Sequence, residues 1–251
     1  MIGRRVSYAL IALTLAGCSP SVTPAAPTTP SARQPALVDT NCADLIVLGA
    51  RGSDQSATKH HGVGTEVLAS VTAMAEQLHT RSTKTVRIVG IPYPAVGGPK
   101  YTANVFTGVS RARQLLTTLG KKCPDSQFGL VGFSQGAHIV HGAALELTPA
   151  QVRRVVLVAM ISDPRRNPGD QITHWSYDAA TPGPGKLGAG TPIPKALRSK
   201  AITLCARDDE VCNWPPGGYS GQLSETHRHF YETHAAQTGE QLVSVLTSNG
   251  L

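Results

Sequence analysis

The chain has 251 residues and a formal net charge of +7, with 16% charged and 41% hydrophobic residues. This length and balance fit one globular α/β domain with a sizeable core plus some extra sequence, and they exclude a polar, disordered chain. Only 5% of the residues are aromatic, and no basic run is interleaved with aromatic residues, so the sequence argues against a nucleic-acid partner.

The first 18 residues predict an export signal. Arg4 and Arg5 form a positive start, and residues 9–16 form an apolar run that is too short to span a bilayer. The run is followed by Gly17 and Cys18, an ending similar to the lipobox of bacterial lipoproteins, in which the cysteine becomes the lipidated first residue. We therefore expect an exported protein held to a membrane through a lipid on Cys18, with ordinary secretion as the alternative.

Residues 19–40 predict a tether. They are rich in proline, serine, threonine and alanine, and Arg33 and Asp39 are their only charged residues. Such a segment cannot bury a core and is typical of an extended linker. The folded domain is predicted over residues 41–251.

The domain alternates predicted strands with predicted helices. Apolar runs predict strands at 44–49, 85–91, 127–133, 154–160 and 201–205, and helical spacing of apolar residues predicts helices at 63–79, 103–119, 135–147 and 233–246. This alternation implies right-handed crossovers and a parallel sheet covered by helices. The predicted fold is a three-layer, doubly wound α/β sandwich with a central, mostly parallel, five-stranded sheet.

Residues 162–200 interrupt this alternation. The stretch contains six prolines and many glycines. A long loop inside a compact domain is usually a functional flap or a disordered insert. We expect either a plain surface loop or a flap over the site.

The stretch from Gly132 to Gly136 carries the first chemical signal. It reads Gly-Phe-Ser-Gln-Gly between a predicted strand and a predicted helix, which is the context of a nucleophile elbow. The elbow would hold Ser134 on a strained turn with its hydroxyl at the end of the sheet. A short pattern of this kind also arises by chance, so the rest of the chain must support it.

Acyl transfer by serine also needs a histidine, a carboxylate that orients it, and donors for the oxyanion. In α/β hydrolases the acid and then the histidine follow the serine along the chain. The last predicted strand runs into a short span with two cysteines and three acids, followed by a group of histidines. The span is 205–212, and the histidines are His227, His229 and His234.

Five segments in this order carry a family resemblance. They are Cys42-Ala-Asp, Ala50-Arg-Gly-Ser, Lys122-Cys-Pro-Asp, the elbow at 132–136, and the Cys-x-x-x-Asp-x-x-Cys span at 205–212. Over residues 42–250 the chain resembles the cutinases, small serine esterases of the α/β-hydrolase class, and in particular their bacterial exported branch. In the elbow, Phe133 stands where the family usually has tyrosine.

The resemblance implies a role for each site residue. Ser134 would be the nucleophile and Asp209 the acid, with Asp208 as a second candidate acid. Ser53 and the backbone N–H of Gln135 would form the oxyanion hole. The resemblance also implies disulfides between Cys42 and Cys123 and between Cys205 and Cys212, which an exported chain can keep oxidised.

The histidine is chosen between two neighbours. The family has His-x-x-Tyr before its last helix, and the nearest match here begins at His227, with Phe230 in place of tyrosine. Counting from His227 into the closing helix places Leu242 at an apolar position, whereas counting from His229 places Ser244 there. We therefore predict His227, with His229 as the alternative.

For the other histidines, acids and tryptophans, the sequence gives less specific predictions. His138 and His141 are one turn apart but lack a further ligand, so we expect surface or packing histidines, no metal and no cofactor. His60 and His61 are expected in a solvated loop. The remaining candidates are Asp163 and Asp170, which follow the strand at 154–160 where some α/β hydrolases keep their acid, and Trp175 and Trp214, which could contact substrate or only pack.

The expected function is hydrolysis of short- to medium-chain acyl esters or polyesters through an acyl-enzyme. One alternative is a lipase or phospholipase that acts on cell-envelope lipids. Another is a catalytically silent surface protein that binds lipid. The expected partner is an ester or lipid substrate, and the expected oligomeric state is a monomer.

Overall fold

The structure is a computed structural model that describes residues 1–3, 36–39, 42–218 and 221–251. Apart from the first three residues, the predicted signal segment 1–18 lies outside this part of the chain, and so do its Cys18 and most of the predicted tether 19–40. Within the described ranges, no helix is long and apolar enough to cross a membrane.

The core of the fold is a parallel sheet of six strands in the order β2-β1-β3-β4-β6-β5. The strands are β1 (Leu45–Ala50), β2 (Val86–Gly90), β3 (Gln127–Phe133), β4 (Val155–Ile161), β5 (Thr173–Ser176) and β6 (Ala201–Cys205). β1, β3, β4 and β6 lie inside the sheet, and the first three of these are buried along their whole length apart from one residue of β3. This burial explains why their sequences are continuous apolar runs.

In the described part of the chain, six α-helices cover the sheet. They are α1 (Thr65–Ser82), α2 (Tyr101–Lys122), α3 (Gln135–Leu145), α4 (Pro149–Arg154), α5 (Glu225–Thr233) and α6 (Ala235–Ser248). Short 3-10 helices lie at His60–Gly62, Gly98–Lys100 and Lys195–Lys200.

The two faces of the sheet have separate cores. In β1, Leu45 and Val47 belong to the core under α1 and α6, whereas Ile46 and Leu48 belong to the core under α2 and α3. Successive side chains of a strand point to opposite faces, so a fully apolar strand serves both cores. The predicted three-layer, doubly wound α/β sandwich is confirmed.

The predicted count of five strands is wrong. A sixth strand, β5, lies inside the 162–200 stretch and pairs with β6 at the edge of the sheet. It has four residues, none of them fully buried, so its sequence shows neither a long apolar run nor a clear alternation. The stretch also ends in the 3-10 helix at Lys195–Lys200, and it is therefore partly regular rather than one loop.

The predicted closing helix at 233–246 corresponds to α6, with both ends shifted by two residues, but a separate helix before it was not predicted. The structure has two helices there, α5 and α6, which meet at His234. Ser224 caps the first turn of α5 by accepting a hydrogen bond from the His227 N–H at 3.1 Å. The extra helix matters because it carries His227.

Both disulfides that the family resemblance implies are present, between Cys42 and Cys123 and between Cys205 and Cys212. The first joins the start of β1 to the segment before β3, across 81 residues of chain. The second joins the last residue of β6 to a residue seven positions later in the chain. A native disulfide in a small exported domain typically stabilises the fold by about 2–4 kcal/mol.

Candidate active site

Ser134 lies on a strained turn between β3 and α3. Its φ is 55° and its ψ is −118°, a left-handed backbone region that is unfavourable for residues other than glycine. Gly132 and Gly136 make the turn feasible, because a β-carbon at either position would lie 2.2 Å or less from a backbone oxygen. The turn at Ser134 therefore has the backbone geometry predicted for a nucleophile elbow.

The parallel sheet collects the polar candidates at one edge. Ser53 follows β1, Ser134 follows β3, Ser162 follows β4 and Asp209 follows β6. The carboxyl ends of parallel strands lie at the same edge of a sheet, where α/β proteins form their ligand crevices. Residues that are far apart in the chain can therefore meet there.

His227 joins the serine to the acid. Its Nε2 lies 3.1 Å from Ser134 Oγ, and its Nδ1 lies 3.0 Å from Asp209 Oδ1. A carboxylate only accepts hydrogen bonds, so Nδ1 carries the proton, and Nε2 of the neutral ring is free to accept the serine proton. The ring also stacks on Phe133, with 5.0 Å between ring centres. The arrangement is that of a serine, histidine and acid triad.

Asp209 is fully buried and has several donors. The Val211 N–H donates to its Oδ1 at 2.9 Å, and the Tyr231 hydroxyl donates to its Oδ2 at 2.6 Å. Burial alone would raise the pKa of Asp209, but hydrogen bonds from His227, Ser162 and Tyr231 hold that pKa below its ordinary value. The carboxylate therefore stays charged beside the histidine.

The structure distinguishes between the two candidate acids and between the two candidate histidines. Asp208 is exposed, whereas its neighbour Asp209 contacts His227. The side chain of His229 is 63% exposed and faces Glu225 and Glu232 on its own helix. The contacts thus join Ser134 to His227 and Asp209.

Two serines contact His227, on opposite sides of its ring. Ser134 meets Nε2 and lines a cavity, whereas Ser162 Oγ lies 3.0 Å from Nδ1 and is completely buried. A nucleophile must reach the substrate, so the geometry favours Ser134 for that role.

The side chain of Ser53 lies against the first turn of α3. Its hydroxyl is 3.2 Å from the side-chain oxygen of Gln135, and Gln135 is fully buried. Backbone N–H groups in the first turn of a helix have no partner within the helix. Ser53 and the Gln135 N–H are therefore placed beside Ser134, where donors to an oxyanion are needed.

A short hydrogen-bond chain supports the loop that carries Ser53. Gln55 accepts from the Gly52 N–H at 2.7 Å and donates to the carboxyl of Glu66 at 2.6 Å. Burial raises the pKa of Glu66 despite the bond from Gln55. The loop after β1 is thus tied to α1.

The triad opens into a cavity of about 750 Å³, within the range of small-molecule sites. Apolar side chains on its wall include Phe133, Leu187 and Val211. The cationic residues Lys186 and Arg228 also line the cavity. Lys186 and Leu187 belong to the 162–200 stretch, so this stretch forms part of the cavity wall.

Sequence reasoning missed Tyr231, which donates to Asp209, and Ser162, which contacts Nδ1 of His227. A signal existed for Tyr231, because it follows His227 by four residues and such residues share one helix face. No comparable signal existed for Ser162, which was the first residue of the presumed loop.

A second histidine and acid pair lies behind the elbow helix. His141 and Asp163 are both buried, with 2.7 Å between Nδ1 and Oδ2. The other ring nitrogen of His141 lies 2.8 Å from the carbonyl oxygen of Thr191. The pair therefore ties α3 to the 162–200 stretch, and Asp163 does not serve the triad.

The remaining candidate residues from the sequence lie away from the triad. The Tyr101 hydroxyl meets His138 at 3.2 Å, and Asp170 accepts the Ile193 N–H at 2.8 Å. Burial lowers the pKa of His138 to about 4. Within the described ranges, no group of three or more metal-ligating side chains is arranged to hold a metal ion. Trp175 packs on Tyr177, and Trp214 lines a separate cavity. His60 and His61 are exposed.

The His141 pair should make the fold less stable as the pH rises. Burial alone would lower the pKa of His141, but Asp163 and the Thr191 carbonyl raise it above 6.5. A raised pKa in the folded state gives stability that is complete below the unfolded value and is lost as the pH rises through the folded value. We expect the difference in unfolding free energy between the protein and a His141→Gln variant to shrink above pH 6.5 by about 1–3 kcal/mol.

Urea unfolding of both proteins across this pH range measures that difference. Groups that titrate in both proteins cancel in the subtraction. A difference that stays constant with pH would contradict a charged His141.

The chain has detectable relatives. The family model for cutinase matches residues 41–245. The carboxylesterase Culp1 of Mycobacterium tuberculosis is 29% identical over 171 residues, which are 68% of this chain and 69% of that protein. A cutinase of Hypocrea jecorina is 32% identical over 172 residues, which are 68% of this chain and 57% of that protein.

Solved structures agree with the fold. The catalytic core domain of acetyl xylan esterase from Trichoderma reesei superposes with a TM-score of 0.62 at 23% identity. The match covers 83% of this chain and 99% of that one. Identity this low supports the shared α/β fold and nothing finer.

Proposed function

This chain belongs to the cutinase family, and we propose that it hydrolyses carboxylic esters through an acyl-enzyme formed on Ser134. The observation that carries the proposal is the continuous contact from Ser134 through His227 to the buried Asp209, at 3.1 and 3.0 Å. Such a contact activates a hydroxyl that is otherwise a weak nucleophile.

The reaction would proceed in two halves. Nε2 of His227 takes the Ser134 proton while Oγ attacks the ester carbonyl, and the same nitrogen then returns the proton to the leaving alcohol. Water repeats the sequence on the acyl-enzyme and releases the acid. Asp209 holds the ring and stabilises its charged form, and Ser53 and the Gln135 N–H would bind the oxyanion.

The cavity favours substrates of modest size. Its volume of about 750 Å³ accommodates a small ligand rather than several long chains. The apolar wall around Phe133 and Val211 suits an acyl chain, so we propose short- to medium-chain acyl esters or polyesters as substrates.

A second candidate is hydrolysis of envelope phospholipids. The exposed cations Lys186 and Arg228 on the cavity wall favour it, because they could pair with an anionic head group. Asp54 and Glu66 line the same cavity and weaken that attraction. We therefore place neutral acyl esters first.

Export and anchoring remain part of the proposal. The positive start, short apolar run and Cys18 of residues 1–18 support a lipid anchor, and the two disulfides support an oxidising compartment. Mass spectrometry of the mature protein would identify a diacyl modification on Cys18 or a chain without it.

A labelling experiment tests the function. A fluorophosphonate probe should modify Ser134, found by mass spectrometry of the peptide that contains it, and should abolish hydrolysis in proportion to labelling. In a series of 4-nitrophenyl esters of rising acyl length, we expect kcat/KM to peak at short to medium chains. Failure of the probe to label Ser134 in folded protein would contradict the proposal and favour a silent lipid-binding protein.

A second rate comparison distinguishes the two proposed substrate classes. Neutral esters and phospholipids of equal acyl length are compared in mixed micelles. A higher kcat/KM for the phospholipid would replace the first candidate with the second.

A further inference from the structure

Ser162 keeps an unfavourable backbone conformation in the interior. Its φ is 54°, and none of its surface is exposed. A residue other than glycine in this region is uncommon, and strain of this kind persists where the surrounding structure compensates for it. The mechanism described above does not use this residue.

The backbone around Ser162 is held on two sides. Its N–H donates to the Leu204 carbonyl of β6 at 2.9 Å. The next residue, Asp163, is paired with His141 of α3 and accepts the Arg165 N–H at 2.8 Å. These contacts over-determine the turn and fix where the Ser162 side chain points.

The Ser162 side chain is directed at Nδ1 of His227, the ring nitrogen that does not face Ser134. Its hydroxyl oxygen lies 3.0 Å from Nδ1 of His227, the same nitrogen that lies 3.0 Å from the Asp209 carboxylate. Nδ1 carries the proton, so the Ser162 oxygen lies on its acceptor side, and the Ser162 hydroxyl is one of the groups that hold the pKa of Asp209 below its ordinary value. The hydroxyl thus bridges the acid and the imidazole on the side away from the cavity.

We propose that Ser162 is a positioning residue for the triad, and this inference rests on the function proposed above. The hydroxyl fixes the Asp209 carboxylate in the plane of the His227 ring and keeps Nε2 directed at Ser134. It acts through these two residues and touches neither substrate nor the reacting atoms.

Two substitutions separate this role from a role in folding alone. Ser162→Gly removes the hydroxyl and also the backbone strain, because glycine adopts a positive φ readily. Ser162→Ala removes the hydroxyl but keeps the strain. A purely structural role predicts that glycine restores full activity, whereas a positioning role predicts that glycine is as impaired as alanine.

We expect both variants to lose kcat by about 10- to 100-fold, the change that follows loss of one hydrogen bond to a charged group. KM should stay within about threefold, because substrate contacts are unchanged. The Ser162→Gly variant should melt at a higher temperature than Ser162→Ala, because both lose the hydroxyl and only glycine relieves the strain. The downfield proton resonance of the His227 Nδ1–H should shift in both variants.

The proposal is overturned if kcat of Ser162→Gly stays within twofold of the unmodified protein, or if the Nδ1–H resonance does not move. Ser70→Ala is the matched control, because Ser70 is fully buried in α1 and its hydroxyl finds no hydrogen-bond partner in the described part of the chain. Its kcat should be unchanged. Unmodified protein with no esterase activity would refute the proposed function itself, whereas active protein with active Ser162 variants refutes only the positioning role.

Discussion

Replacing Ser134 with alanine should abolish ester hydrolysis and leave the fold intact. The hydroxyl is the group that forms the acyl-enzyme, and no other hydroxyl both contacts Nε2 of His227 and lines the cavity in the ranges that the structure describes. Loss of the nucleophile in a serine hydrolase typically lowers kcat by about 10⁶-fold. Alanine keeps the β-carbon at the same positive φ, so the melting temperature should change by only a few degrees.

Initial rates with a 4-nitrophenyl ester, at enzyme concentrations high enough to detect a 10⁵-fold loss, measure this effect. Ser110→Ala on the exposed surface of α2 is the control and should keep full activity. Hydrolysis by folded Ser134→Ala protein at more than a hundredth of the normal rate would rule out Ser134 as the nucleophile.

Replacing His227 with glutamine should be nearly as damaging. Glutamine cannot shuttle a proton between Ser134 and the leaving alcohol, so kcat should fall by about 10⁵- to 10⁶-fold. The same change at His229 should leave kcat within twofold, because that side chain is 63% exposed and faces Glu225 and Glu232 of its own helix. The two histidines lie two positions apart on α5, so they form a matched pair.

Rates and fluorophosphonate labelling of both variants distinguish the outcomes. Slow labelling should accompany the loss in His227→Gln, since the hydroxyl is no longer activated. The assignment of the base would be reversed if His229→Gln lost activity and His227→Gln kept it.

The framework of the site could be predicted because it depends on local patterns. Continuous apolar runs identified the inner strands, since both faces of the sheet are covered. Gly132 and Gly136 identified the elbow, because backbone atoms come too close for side chains there. Parallel strands then required the residues after β1, β3 and β6 to share one edge.

The finer contacts could not be predicted because they depend on three-dimensional position. Asp208 and Asp209 are adjacent residues of the same type, so only the family resemblance could favour Asp209, and the turn after β6 decides which one contacts His227. Ser162 reaches that histidine across 65 residues of chain. The extra strand β5 was missed because a four-residue edge strand has little apolar content of its own.

The direction of the sheet also fixes how the enzyme can be attached to a support. Cys42 and its bridge to Cys123 lie where β1 and β3 begin, while Ser134 lies where β3 ends. All strands run the same way, so the chain enters the domain on the side opposite the cavity. Immobilisation through the amino-terminal side, on a resin or a sensor chip, would leave the cavity facing the solution, whereas attachment through side chains after β4 or β6 would obstruct it.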